Sequence, residues 1–148
     1  MIRTVHRLAG LLAAACIATF WIATVGVELW GSAAAVATLK QLVVMPGLFV
    51  LVPAIAATGA SGFVLSKSRQ GRLVAAKKRR MPWIAANGLL VLVPCALVLD
   101  RWAAASAIDT GFYVVQAVEL VAGAVNLTLM GLNIRDGLRM RGARVRPR

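Results

Sequence analysis

Four long apolar runs constrain this chain more than anything else in it. They cover residues 8–30, 42–65, 83–99 and 112–134, and none holds more than one charged residue. A bilayer's hydrocarbon core takes about 20 helical residues to cross. No water is present there to satisfy backbone groups, so only helices and closed barrels span it. These runs are continuous rather than alternating, which selects helices. The expected fold is therefore all-α: an integral membrane, antiparallel four-helix bundle. The third run is short and is read as extending into Arg101 and Trp102.

Composition agrees. Hydrophobic residues make up 60% of the 148 residues and charged residues 15%, against about 45–50% and about 25% in a soluble domain. That length allows one domain.

The net charge of +12 in a soluble protein would point to nucleic acid. Here the basic residues sit between the apolar runs. Arg3 and Arg7 precede the first. Lys67, Arg69, Arg72, Lys77, Lys78, Arg79 and Arg80 separate the second and third. Arg135, Arg139, Arg141, Arg144, Arg146 and Arg148 follow the fourth. Of the 17 Lys and Arg residues, only Lys40 and Arg101 fall on the other side. Cytoplasmic loops carry such an excess. This predicts a multi-pass protein of the bacterial inner membrane with both termini cytoplasmic (N-in, C-in) and no nucleic-acid partner. Trp30, Trp102 and Tyr113 then mark the outer interface and Trp83 the inner one, as aromatic belts do. The run to Trp30 is longer than a signal-peptide core and reads as a true span.

The loop at residues 66–81 is basic. Its stretch GRLVAAKKRRMP reads either as a short interfacial helix, with Leu73 and Val74 toward lipid, or as a solvated topogenic loop, with anionic headgroups as partners in both cases. Pro82 is expected in the first turn of span three. Residues 135–148 form a basic tail whose last ten residues are expected to be disordered.

The fourth run carries the candidate site. Gln116, Glu119, Gly123, Asn126, Met130 and Asn133 are spaced 3, 4, 3, 4, 3. That rhythm puts all six on one helix face. Amides and a carboxylate facing lipid would be unsatisfied, so this face is expected to point into the bundle or at a partner. Thr128 lies off the stripe, where it can bond back to its own helix. Glu119 sits about seven residues, roughly 10 Å, in from the outer end at 1.5 Å per residue. Intramembrane ionisable groups are functional candidates. The bland alternative is interhelical glue, with Glu119 paired to Lys40 or Arg101 or bonded to Gln116 and Gln41.

Sorted by depth, His6, Ser61, Asn87, Asn126 and Asn133 belong to the cytoplasmic half. Glu28, Lys40, Gln41, Gln116 and Glu119 belong to the outer half. His6 is the only histidine, so haem, which commonly takes axial histidine, would need a second ligand from Met81, Met130 or another copy. Cys16 and Cys95 lie inside apolar runs and read as small hydrophobes. Pro46 and Pro53 interrupt the second run and Pro94 the third, and VLVP occurs at 50–53 and 91–94. Interrupted helices in matching positions are one mark of a transport site, while neighbours often re-satisfy an ordinary proline kink. ATGASGF at 57–63 offers small residues for close packing.

No HExxH, GxSxG, Walker A or metal-ligand cluster is present, so a non-enzymatic role is expected. AAKKRRMPWIAANG followed by FYVVQAVELVAGAVNLTLMGLNIRDG resembles small four-span bacterial inner-membrane proteins whose activity is not established. The resemblance implies the architecture and no mechanism. The functional expectation is an accessory or binding protein. Its polar interior would hold a small hydrophobic ligand (quinone, lipid or haem) or dock a partner subunit or second copy. The alternative is a small proton-coupled transporter using Glu119.

Overall fold

The protein is described from a computed structural model, over residues 1–67 and 72–142. Those residues form helices joined by short turns, with no strand among them. The helices are α1 (Ile2–Trp30), α2 (Ala33–Leu42), α3 (Phe49–Lys67), α4 (Arg72–Asn87), α5 (Val93–Ala104) and α6 (Thr110–Gly142). Irregular turns at Val43–Leu48 and Gly88–Leu92 run α2 into α3 and α4 into α5. The result is four rods: Ile2–Trp30, Ala33–Leu65, Val74–Ala104 and Thr110–Arg139. Each is long and apolar enough to cross a membrane.

Local sequence explains the ends. The Ser32 hydroxyl accepts from the Ala35 N–H at 3.2 Å and starts α2, because the first N–H groups of a helix lack intrahelical partners. Asp109 does the same for Phe112 at 3.1 Å before α6. Ser106, in the tight turn after α5, has a left-handed φ of 56°.

Neighbouring rods run antiparallel. His6 meets Ser61 while Phe20 meets Gly47, so α1 descends as α3 rises. Arg80 meets Asp136 while Asn87 meets Asn126, which orders the third rod against α6 in the same way. Small residues set the close approaches. A Cβ on Gly47 would lie 2.7 Å from Phe20 Cζ, and one on Gly62 would lie 3.1 Å from His6 Cε1. Ala13, Ile17, Leu51, Ala54, Ile84 and Met130 form one buried apolar cluster; Val36, Leu99, Ala103 and Phe112 form a second. Large apolar side chains such as Ile22, Phe49, Leu90 and Val121 cover the outside.

Several expectations about helix extent need correction. The third rod begins well before residue 83. Its basic segment is the first turns of α4, continuous with the span, and not a separate interfacial helix. Pro82 consequently lies inside α4 rather than in its first turn. Helix α6 continues through Gly142, so the start of the predicted tail is helical. The expectations for 68–71 and 143–148 lie outside the described residues. The cause is common to both ends: Ala, Lys, Arg, Leu and Met are strong helix formers, and a helix does not stop where hydrophobicity stops.

The prolines act unequally. At Pro46 the chain breaks its helical path, with Met45 extended at φ −133°, ψ 109°. Pro94 follows the widened turn at Gly88–Leu92. Proline lacks an N–H and crowds the carbonyl four residues back, and such irregular turns relieve that crowding. Pro53 sits within α3 without a break.

Candidate functional site

The stripe on α6 faces inward along its whole length. Gln116, Asn126, Met130 and Asn133 are buried, Asn126 completely, and Glu119 is half-buried. Thr128, off the stripe, is exposed and donates to its own helix at Ala124 O, 2.8 Å. The stripe meets three separate polar groups at three levels.

At the outer level, Lys40 on α2 is 1% exposed, and its Nζ donates to Glu119 Oε2 at 2.6 Å. Gln116 Nε2 donates to the same oxygen at 3.1 Å. Glu28, on the last turn of α1, lies within electrostatic range of both Lys40 and Glu119. Gln41, expected here, is exposed. Successive residues on a helix point about 100° apart at 3.6 per turn, so only one of Lys40 and Gln41 can face Glu119. The ammonium, which gains more from the carboxylate, takes that place. Arg101 is exposed as well. One oxygen of Glu28 and one of Gln116 are buried without a hydrogen-bond partner.

At the middle level, Asn87 Nδ2 donates to Asn126 Oδ1 at 2.9 Å and to Ala122 O at 2.8 Å. Asn126 Nδ2 reaches back to Ile84 O at 3.4 Å. A Cβ on Gly88 would stand in ordinary contact with Asn126 Nδ2, at 3.6 Å.

The inner level holds two groups rather than one. Arg80 donates to Asp136 Oδ2 at 2.7 Å and to Asn133 Oδ1 at 3.5 Å, while Asn133 Nδ2 points to Met81 Sδ at 3.6 Å. Separately, Lys77 Nζ donates to His6 Nε2 at 3.2 Å, which leaves Nδ1–H to donate to Thr58 O at 3.1 Å. The buried Ser61 lies 3.0 Å from that same Nδ1 and donates to Ala57 O. So Asn133 joins Asp136 and Arg80, whereas His6 and Ser61 form their own pair on α1 and α3.

Between the outer and middle levels lies a cavity of about 260 Å³, lined almost wholly by apolar side chains. Glu119 and Asn126 reach it from α6, and Phe20, Trp21 and Thr24 from α1. Both irregular turns contribute to its wall, through Val43 and Leu48 and through Gly88 and Leu92. Four lining residues, Val52, Ala56, Ala85 and Leu89, are exposed on the outer surface of α3 and of the third rod. The cavity therefore reaches the apolar exterior between those two rods. Its volume exceeds the roughly 150 Å³ of an apolar cavity that takes up benzene and approaches the lower bound, about 300 Å³, of drug-sized pockets.

Trp21 is the cavity-lining residue with a polar atom that periodicity alone missed. Its indole N–H donates to Leu120 O at 2.9 Å, and its ring lies against Gly123, where a Cβ would sit 3.0 Å from Cδ1. The available signal was a tryptophan far from either interface, since a buried indole N–H needs an acceptor. Asp136 was also missed, although it lies three residues beyond Asn133 on the same helix face.

The donor set does not suit haem. No His, Cys, Met or Tyr lines the cavity, and both ring nitrogens of His6 are engaged elsewhere. Among the described residues, no group of three or more His, Cys, Asp or Glu could hold a metal ion. Comparisons with models of known families, with curated proteins and with solved structures find no match.

Proposed function

We propose that this chain is an integral membrane binding protein, an N-in, C-in four-helix bundle of the bacterial inner membrane. Its interior cavity takes a small amphipathic molecule directly from the bilayer. One observation carries the reading: an apolar cavity with a carboxylate at one end and a carboxamide at the other, open sideways where lipid tails would lie. Ligand sites have this composition, mostly apolar walls with a few placed polar groups. The stripe's polar groups find most of their partners within the chain, which favours an interior site over docking of a partner subunit. A quinone-sized ring or a single acyl segment suits the volume. Haem is not part of the proposal, for want of an axial ligand.

Brominated lipids test access from the bilayer. Trp30, Trp83 and Trp102 are exposed and are replaced by Phe, leaving Trp21 as the reporter. In bilayers of phosphatidylcholine brominated mid-chain, Trp21 fluorescence is expected to be quenched, and Ala56→Phe, which plugs the mouth, is expected to restore it. Quenching that Ala56→Phe leaves unchanged contradicts lateral entry.

Transport is a second reading with its own support. Both irregular helix turns border the cavity, and discontinuous helices beside a midplane site are a transporter device. In that case Glu119→Gln abolishes ligand-driven proton uptake in proteoliposomes while the protein still folds and inserts.

A further inference from the structure

The outer polar level has two buried acceptors that no donor reaches. Glu28 and Glu119 face a single cation, Lys40, whose bond goes to Glu119. Gln116 is 3% exposed, and its amide nitrogen donates to Glu119. That leaves Gln116 Oε1 and Glu28 Oε1 buried with no donor to meet them. A buried acceptor without a donor has given up its bonds to water and gained nothing in return. With every group ionised, the cluster also carries one uncompensated negative charge. Both deficits have one remedy, a group with several N–H donors and a positive charge.

The cavity meets this cluster at Glu119, with Gln116 and Glu28 behind its wall. Glu119 lines it directly, and so does Thr24, with Glu28 one helical turn further on the same face of α1. Phe20 and Trp21 form part of the wall, and aromatic faces attract cations. We infer that the ligand of this cavity is an amphipathic amine. Its protonated head seats among Glu119, Gln116 and Glu28, and its apolar body lies between the rods. A hydroxyl head offers one donor and no charge, so it meets one acceptor and leaves the other deficits standing. This inference rests on the cavity reading above and adds the chemistry of the head.

The test compares octylammonium with 1-octanol, two probes of equal length and unequal charge. Both are titrated against the chain whose only tryptophan is Trp21, in nanodiscs of neutral phosphatidylcholine, with saturable change in Trp21 fluorescence as the readout. Octylammonium is expected to bind about tenfold tighter or more, since hydrogen bonds to charged groups are worth about 1.5–3 kcal/mol. Glu28→Gln keeps the Lys40–Glu119 bridge and removes the surplus charge. It is expected to abolish most of that preference, and octanol binding that remains saturable reports an intact cavity. Glu28→Ala gives the same reading should the glutamine variant fail to fold. Equal binding of the two probes overturns the amine and leaves the cavity standing, as would hold if Glu28 simply kept a proton of its own. A preference that survives removal of Glu28 overturns the assignment of the head group. Binding of neither probe overturns the cavity reading too.

Discussion

At Lys40 and Glu119 two charges are held 2.6 Å apart, with Lys40 almost wholly out of contact with solvent. Removing one partner of such a pair costs about 3–5 kcal/mol, because the other charge stays buried and unpaired, whereas replacing both with apolar groups is often neutral. Lys40→Met is therefore expected to lower thermal stability in detergent by that order, and Lys40→Met with Glu119→Leu to recover most of it. Equal losses in the single and double variants would show that the bridge is not what holds α2 to α6. The Asn87–Asn126 contact belongs to a weaker class. A double-mutant cycle with Asn87→Ala and Asn126→Ala is expected to return a coupling of about 0.6 kcal/mol, the average for polar pairs between membrane helices. These two contacts differ in how well the sequence announced them. The stripe was legible because polar groups in an apolar run have to face inward. Lys40 was legible only as one of two cations at the right depth. Its neighbour Gln41 was misplaced, because depth says nothing about helical rotation. Trp21 escaped a search for polar residues because its one polar atom rides on an apolar body.

Single glycines decide how closely the rods approach. Gly47 lies against Phe20 and the Leu42 carbonyl, and Gly123 against Trp21, whereas a Cβ on Gly59 meets nothing within 4 Å. Gly123→Val is expected to push the Trp21 ring from its seat, weaken its bond to Leu120 O and cost about 1–3 kcal/mol of overpacking. Gly59→Ala is expected to be neutral or to stabilise by up to about 1 kcal/mol through helix propensity. Chemical denaturation of both variants in one detergent checks the contrast, and a Gly59→Ala loss as large as that of Gly123→Val would contradict the packing described. At this scale hydropathy located all four rods but not their ends. It responds to the bilayer, while helix length responds to local propensity, which carries α4 and α6 past their apolar segments. It also marked three prolines as equals, although only Pro46 lies within an irregular turn and Pro94 just after one. Which proline a helix absorbs depends on the packing around it, and no four-letter motif encodes that.

Across the whole molecule, polar groups are threaded down the inside of an apolar body, and an apolar cavity lies between two of their levels. The class of fold was readable from four apolar runs. The cavity was not, because a void depends on how side chains from all four rods fail to fill a volume. The positive-inside reading is checked by reporter fusions at the C-terminus, where a fluorescent fusion is expected to mature and an alkaline phosphatase fusion to stay inactive; the reverse pattern would contradict the orientation. The claim that the cavity holds a small amphipathic molecule is tested most directly by native mass spectrometry of the protein released from membrane nanodiscs. The wild-type chain is expected to retain one bound small molecule, and the Ala56→Phe chain, equally folded, to have lost it. A wild-type chain that flies at its bare mass, or an adduct retained equally by both, would contradict the account.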